Sequence, residues 1–417
     1  MTDAARAEST DAVPAESQPA PLPLLEPRDG TPDPVVSEAG LAAVATALAA
    51  GTGPVAVDAE RASGYRYGQR AYLVQLRRNG AGTTLIDPMR CPDLAIIDDA
   101  LAGAEWVLHA ASQDLPCLLE IGMRPRTLFD TELAGRLAGF ERVGLGIMVE
   151  QVLGRTLEKG HSAADWSTRP LPREWLTYAA LDVEVLIELR DALEAELRRQ
   201  DKLGWAQEEF AALVAAPPAE ARVDPWRRTS GIHRIRSPRG LAIVRELWET
   251  RDRIARERDT APGRILPDSA IVSAAQANPG SVDALLALPV FGGRATRRQV
   301  GVWYAAIAQA RALTDDALPL ARRAGDGPPP VHRWRDREPD AASRLAAAKE
   351  AAAGIAAAHG LPVENLISPD LVRRLSWDPP EAASADAVAQ VLRAGGAREW
   401  QIGLTAEALA AAVTGPA

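Results

Sequence analysis

The chain has 417 residues, 47% of them hydrophobic and 5% aromatic, with a formal net charge of −9. That length allows two to four domains with substantial cores, and the negative balance excludes a uniformly basic nucleic-acid coat while permitting a local basic patch. Cys91 and Cys117, the two cysteines, have no metal spacing and form no disulfide framework, which fits a reducing cytoplasm; no run of about 18 apolar residues is present to span a membrane.

Residues 1–34 are rich in Ala, Pro, Glu and Asp, without apolar periodicity and without the apolar segment of a signal peptide, so a disordered acidic tail is expected. Residues 35–50 read as a helix and Pro54 to Asp58 as a buried strand. Ala71 to Arg77 and Thr83 to Asp87 read as two more strands, joined by an Asn79-Gly80 turn, which makes an antiparallel meander. A helix at 94–101, a strand at 106–109, a helix at 113–121 and a short strand at 127–129 follow. Residues 172–200 form one long amphipathic helical region, with Pro172 suited to its first turn. A meander followed by β-α-β-α predicts an α/β domain over residues 35–215, a mixed sheet flanked by helices.

Strand signals fade after Ala215-Ala-Pro-Pro. Residues 222–320 read as a helical bundle, with helices at 239–258, 268–277, 281–287 and 295–313. A linker is expected over 321–340, centred on Gly325 to Pro330, and 341–413 repeats the outline of the first bundle in diverged form. Between Arg222 and Arg258 eleven arginines stand against five acids, the surplus expected of phosphate contacts.

The chemistry lies in three short motifs. Asp58 and Glu60, at i and i+2, project together from a strand end. Asp114 stands at a helix start, where the dipole favours a carboxylate. Tyr178 and Asp182, at i and i+4, share a helix face. Acids converging at the ends of core elements need a cation, and hard divalent ions suit all-oxygen ligands. Two such ions about 3.5–4 Å apart can clamp both the attacking water and the leaving oxygen of a phosphodiester.

These motifs, with Tyr72-Leu-Val-Gln-Leu76, Leu85-Ile-Asp-Pro88, His109 to Asp114, Leu128-Phe-Asp-Thr131, Gly144-Leu-Gly146, Lys159, Ser162, Asp165-Trp-Ser-Thr-Arg-Pro-Leu171 and Tyr178-Ala-Ala-Leu-Asp182, resemble the DEDDy 3′–5′ exonucleases and, within them, the ribonuclease D family. The resemblance implies a ribonuclease H-like exonuclease domain followed by all-α bundles. Asp58, Glu60, Asp114 and Asp182 would hold two Mg2+ or Mn2+ ions, and Tyr178 would orient the water. The segments Leu247 to Ala255, Ile265-Leu-Pro-Asp268 and Leu285 to Pro289 resemble the HRDC domain, a nucleic-acid-binding bundle. His109, Gln113, Arg70, Arg234, Arg236 and Arg239 are the expected nucleic-acid contacts. One departure is Arg61, where the family often has an aromatic residue. The function so implied is 3′–5′ exoribonuclease action on structured RNA with a single-stranded 3′ end, such as tRNA precursors, by a cytoplasmic monomer that binds no membrane. The alternatives are a DNA exonuclease, since the same site serves both, and a catalytically idle nucleic-acid-binding protein.

Overall fold

The computed structural model describes residues 21–157, 160–161, 163–218, 220, 222–291, 293–320, 327–382 and 384–414. Lys159, Ser162 and residues 1–20 lie outside them. The chain runs β1 (Leu22–Leu24), α1 (Glu38–Ala50), β2 (Thr52–Arg61), β3 (Ala71–Asn79), β4 (Gly82–Ile86), α2 (Ala95–Ala100), β5 (Glu105–Leu108), α3 (Leu115–Glu120), β6 (Thr127–Asp130), α4 (Thr131–Leu137), α5 (Leu145–Leu153), β7 (Arg155–Leu157), α6 (Arg173–Glu184), α7 (Leu186–Arg199) and α8 (Leu203–Ala215). The five-stranded sheet has the order β4-β3-β2-β5-β6, with the β2-β3-β4 meander antiparallel and β5 and β6 parallel to β2. The mixed α/β layer is the one the sequence predicts.

Both faces of the sheet are covered, and the alternation along β2 assigns them. Val55, Val57 and Ala59 enter a core with Leu41 and Leu48 of α1 and Ile97 of α2. Ala56 faces the other way, against Val183 of α6 and Leu186 of α7, and the two-residue period puts Asp58 and Glu60 on that same face. Two carboxylates thus replace apolar residues where α6 covers the sheet. Glu60 lies inside a strand that runs to Arg61, not beyond a strand end as expected.

Three other expectations are corrected. Residues 21–34 are ordered. β1 pairs in parallel with β7, Arg28 forms ion pairs with Glu184 and Glu188, Asp29 pairs with Arg77 at 3.2 Å, and Arg173 binds Asp33 at 3.0 Å. These partners are all distant in sequence, so local periodicity gave no sign of them. Helix α1 starts at Glu38, because Ser37 caps Gly40 N at 3.2 Å while the Val35 N–H joins the sheet edge at Leu85 O. The expected single helix over 172–200 is two, α6 and α7, meeting at Val185.

The first bundle comprises α9 (Pro238–Glu257), α10 (Pro262–Ile265), α11 (Asp268–Ala277), α12 (Val282–Leu286), α13 (Arg294–Arg297) and α14 (Val300–Ala312). The second comprises α15 (Trp334–Arg337), α16 (Pro339–Ala358), α17 (Val363–Leu366), α18 (Pro369–Trp377), α19 (Ala385–Ala394) and α20 (Glu399–Thr414). The long first helix, one-turn helix and third helix recur at a constant offset, in keeping with an internal repeat. The expected linker over 321–340 is too long, because Trp334 is fully buried in the second bundle's core.

Each bundle docks on the α/β domain. The first meets the loop after β2. Tyr67 donates its hydroxyl to Asp252 at 3.0 Å, Arg70 reaches Asp259 at 2.8 Å, and Arg264 donates to Gly64 O at 2.6 Å. The second contributes Ala356, Leu361, Leu366 and Trp400 to a core shared with Phe129, Leu197 and Phe210. Trp400 stacks on Trp205 at 5.0 Å and donates its ring N–H to Glu209 at 3.1 Å. Truncating this anchor should therefore cost much of a large side chain's burial. Trp400→Ala is expected to destabilise by about 3 kcal/mol, and urea unfolding should detect it as a lower midpoint; an unchanged midpoint would mean the second bundle is only loosely appended.

Candidate active site

Three carboxylates converge where α6 crosses the C-terminal end of β2. Oxygens of Asp58, Glu60 and Asp182 lie within 4.8 Å of one another. Glu60 is buried, and Asp58 and Asp182 are half-buried. Asp58 and Glu60 come from alternate positions of one strand. Asp182 is one turn beyond Tyr178 on a helix fixed to the sheet by Leu176, Ala179, Ala180 and Val183.

The fourth acid is placed by a different device. After β5 the chain turns through Ala110 in the left-handed region, φ 60°, into a one-turn 3-10 helix that ends at Asp114. Such a conformation is unusual for a residue with a Cβ. Buried Asp130, at the end of the neighbouring strand β6, holds it by accepting from Ala110 N at 3.1 Å and Ala111 N at 2.8 Å, and it also caps α4. Sequence reading sees Asp130 only as part of a family string; its role depends on β5 and β6 being neighbours. Asp114 is buried but stands outside the three-acid group. It pairs with Arg61 at 3.3 Å, and Arg61 also donates to Gln113 O at 2.8 Å.

The electrostatics are those of a site that wants a cation. Burial pushes the Glu60 carboxyl well above the carboxylate range, and the charges of Asp58, Asp182 and Asp114 add to the rise. Asp182 is raised well above its usual value by burial and then by Asp58, eased by the hydroxyl of Tyr178. Asp58 is raised by burial and eased by the Ala59 N–H and Arg61. Asp114 is pushed up to about 8, by burial first and Asp58 second. Buried like charges of this kind are stable only with a counter-cation or with protons. Gln75 pairs across the strands with Asp58 and is fully buried, and its amide has no partner among the described residues. An all-oxygen donor set with an orphaned amide beside it fits a hydrated hard divalent ion.

The phenol of Tyr178 is raised by burial and by Asp182, so it stays protonated and cannot serve as a base. Its ring is fixed by His161, edge-on at 5.6 Å, and by Trp166 at 6.4 Å. Beside it opens a cleft of about 410 Å³. Leu25, Glu26 and Thr31 of the N-terminal segment form one wall and His161, Arg173, Thr177 and Tyr178 the other. The aromatic frame and the N-terminal wall escape sequence reading, although the i, i+3 spacing of Trp175 and Tyr178 hints at the former. Part of the family text gains a physical reason here. Arg169 forks onto Asp87 at 2.7 and 2.8 Å and donates to Tyr72 O at 2.8 Å, which ties the loop before α6 to the sheet.

The expected nucleic-acid contacts divide. Gln113 is exposed beside the site, and Arg234 and Arg236 are exposed with no ion pair among the described residues. The other three are engaged within the protein. His109 is half-buried and bonded to Thr131 Oγ1 at 2.9 Å, and burial lowers its pKa to about 4, so it is neutral and offers no charge to a phosphate. Arg70 is held by Asp259 and the Tyr72 hydroxyl. Arg239 binds the carbonyls of Ala310 at 3.1 Å and Leu313 at 2.5 Å, capping α14, and pairs with Asp315. Much of the arginine surplus is likewise spent internally. Arg227, Arg245, Arg251, Arg253 and Arg256 pair with Asp224, Glu246, Asp268, Glu257 and Asp252. No described helix is long and apolar enough to cross a membrane.

Comparison with known proteins accords with this architecture. Residues 32–198 match the family model described as 3'-5' exonuclease, 240–307 the HRDC domain, and 327–413 the 3' to 5' exonuclease C-terminal domain. The ribonuclease D of Gluconacetobacter diazotrophicus is 34% identical over 286 residues, covering 66% of this chain and 71% of that protein. A crystal structure of a protein from Bifidobacterium adolescentis superposes with a TM-score of 0.87 at 39% identity, covering 95% of this chain and 100% of that one. The crystal structure of Escherichia coli RNase D, described as an exoribonuclease involved in structured RNA processing, gives a TM-score of 0.66 at 27% identity, covering 87% of this chain and 97% of that one.

Proposed function

The chain belongs to the ribonuclease D family and is a 3′–5′ exoribonuclease, and from that premise we propose that it trims the 3′ ends of structured RNA, tRNA precursors among them, with two divalent ions held by Asp58, Glu60, Asp114 and Asp182. The convergence of Asp58, Glu60 and Asp182 within 4.8 Å carries this reading. Mg2+ or Mn2+ bound there would lower the pKa of a water and neutralise charge on the phosphodiester. Asp58 belongs to the three-acid group and its charge also raises Asp114, so it is the carboxylate suited to serve both ions. Tyr178, kept protonated by burial and by the neighbouring charge of Asp182, orients the water by hydrogen bonding. Gln113, exposed at the rim, is placed to meet the terminal nucleotides.

The division of labour we propose is an exonuclease domain over 35–215, an HRDC bundle over 222–320 and a second, diverged bundle that begins near residue 327. The N-terminal wall narrows the cleft beside Tyr178, which favours a single-stranded 3′ end. The protein is proposed to act as a cytoplasmic monomer, and its two free, buried cysteines suit a reducing compartment.

Incubation with 5′-labelled RNA and DNA of equal length, with and without EDTA, tests the reading. A ladder shortening from the 3′ end on RNA, abolished by EDTA, is expected. Equal shortening of DNA would favour the broader DNA exonuclease reading, and no cleavage of either would leave a binding protein. For the bundle, Arg234→Glu or Arg236→Glu should each flatten the dependence of log Kd on log salt by about one unit for folded RNA. Unchanged slopes in both variants would show that this surface does not track phosphates.

A further inference from the structure

Arg61 stands in a position that the metal reading does not use. It is the last residue of β2, where the register with β3 breaks. Glu60 faces Leu73, but Arg61 faces Ala71, so Tyr72 is passed over. A bulge of this kind re-aims the side chain that follows it. The Arg61 guanidinium is turned onto the loop that carries Asp114, and its two terminal nitrogens make different contacts. Nη1 donates to Gln113 O at 2.8 Å, and Nη2 pairs with Asp114 Oδ1 at 3.3 Å. The arginine side chain is 25% exposed and that of Asp114 8%, so the pair is shielded from water on the acid's side. Asp114 is also the one acid of the four that is absent from the Asp58, Glu60, Asp182 group.

We infer that Arg61 is a positioning residue that acts as a built-in counter-cation, holding Asp114 when the second divalent ion is absent and yielding it when that ion binds. The physical basis is competition for one buried carboxylate. A guanidinium that forks between a carbonyl and a carboxylate occupies the oxygen lone pairs that a cation would need. Leaving Asp114 unpaired would cost the metal-free protein a buried, uncompensated charge. The first ion, served by Asp58, Glu60 and Asp182, meets no guanidinium in direct contact with those acids among the described residues. The two sites should therefore differ in affinity because of Arg61, with the second filling only at higher ion concentration. The inference rests on the reading that Asp114 is a metal ligand.

The test is Mn2+ titration calorimetry on the full chain, comparing wild type with Arg61→Gln, Arg61→Lys, Asp114→Asn and Arg70→Gln. Arg70→Gln removes the same charge from the other end of the β2–β3 connection without touching Asp114. Expected are two ions in the wild type and one in Asp114→Asn. Arg61→Gln should bind the second ion at least about fivefold more tightly, as a coupling of ordinary size requires, with a clearly smaller rise at the first ion, since the Arg61 charge also reaches Asp58 and Glu60. Arg61→Lys, which keeps the charge but not the fork, should fall between, and Arg70→Gln should match wild type. Unchanged or weaker second-ion binding in Arg61→Gln, with the second ion lost in Asp114→Asn, would overturn the inference and leave the metal reading standing. So would an equal rise at both sites or an equal rise in Arg70→Gln, since either is a general charge effect. Two ions retained in Asp114→Asn would overturn the metal role of Asp114 and the inference with it.

Discussion

Asp58→Asn, Glu60→Gln and Asp182→Asn should each reduce RNA cleavage by about 10³-fold or more, because a two-ion site that loses one ligand cannot both activate a water and stabilise the leaving oxygen. The fold should survive. Burial raises all three carboxyls, and neighbouring carboxylates raise Glu60 and Asp182 further, so an amide in place of one relieves repulsion in the metal-free protein and should hold or raise its melting temperature. The signature is in the metal response. An ion that binds only the folded state at one hundred times its Kd adds about 2.7 kcal/mol of stability, and the wild type should show that upward shift with Mn2+ while the variants lose most of it. Full activity in any of the three at saturating Mg2+ would remove that residue from the site.

Tyr178→Phe should lower kcat by about 10²- to 10³-fold, the usual scale for losing one well-placed hydrogen-bonding group at a reacting centre. Phenylalanine keeps the packing against His161 and Trp166 and removes only the hydroxyl. Since Tyr178 stands one turn from Asp182 on α6 but is no ligand, Mn2+ affinity and KM should change little, and the loss should fall on the chemical step. A raised KM with kcat unchanged would instead assign Tyr178 to substrate binding.

That Asp58 neighbours Glu60 and Tyr178 neighbours Asp182 was legible because their placement is local. Two-residue spacing on β2 and four-residue spacing on α6 each put a pair on one face, and both elements carry strong apolar signals. Residues joined across the fold were not legible. Asp130 holds the Ala110 turn only because β5 and β6 lie side by side. The N-terminal segment is ordered by Arg77, Arg173, Glu184 and Glu188, all remote in sequence. From sequence the Arg61 to Arg70 loop, with Tyr65 and Tyr67, reads equally as a substrate contact or as an ordinary exposed loop, yet Tyr67 bonds Asp252 and Arg264 lies over the Tyr65 ring at 4.2 Å, so the loop is where the first bundle docks. Counting arginines is a coarse guide for the same reason, since a count does not register the acids opposite them. Arg61 is marked in the sequence only as a departure from a family pattern, and its pairing with Asp114 gives that departure a physical meaning.

The central claim is that these acids hold two divalent ions. Anomalous diffraction at the manganese edge, from crystals soaked in Mn2+, tests it most directly. Two peaks about 3.5–4 Å apart are predicted, one against Asp58, Glu60 and Asp182 and the other against Asp58 and Asp114, with Arg61 drawn off Asp114. No peak at this cluster, or a single peak at saturating Mn2+ with Arg61 still on Asp114, would contradict it.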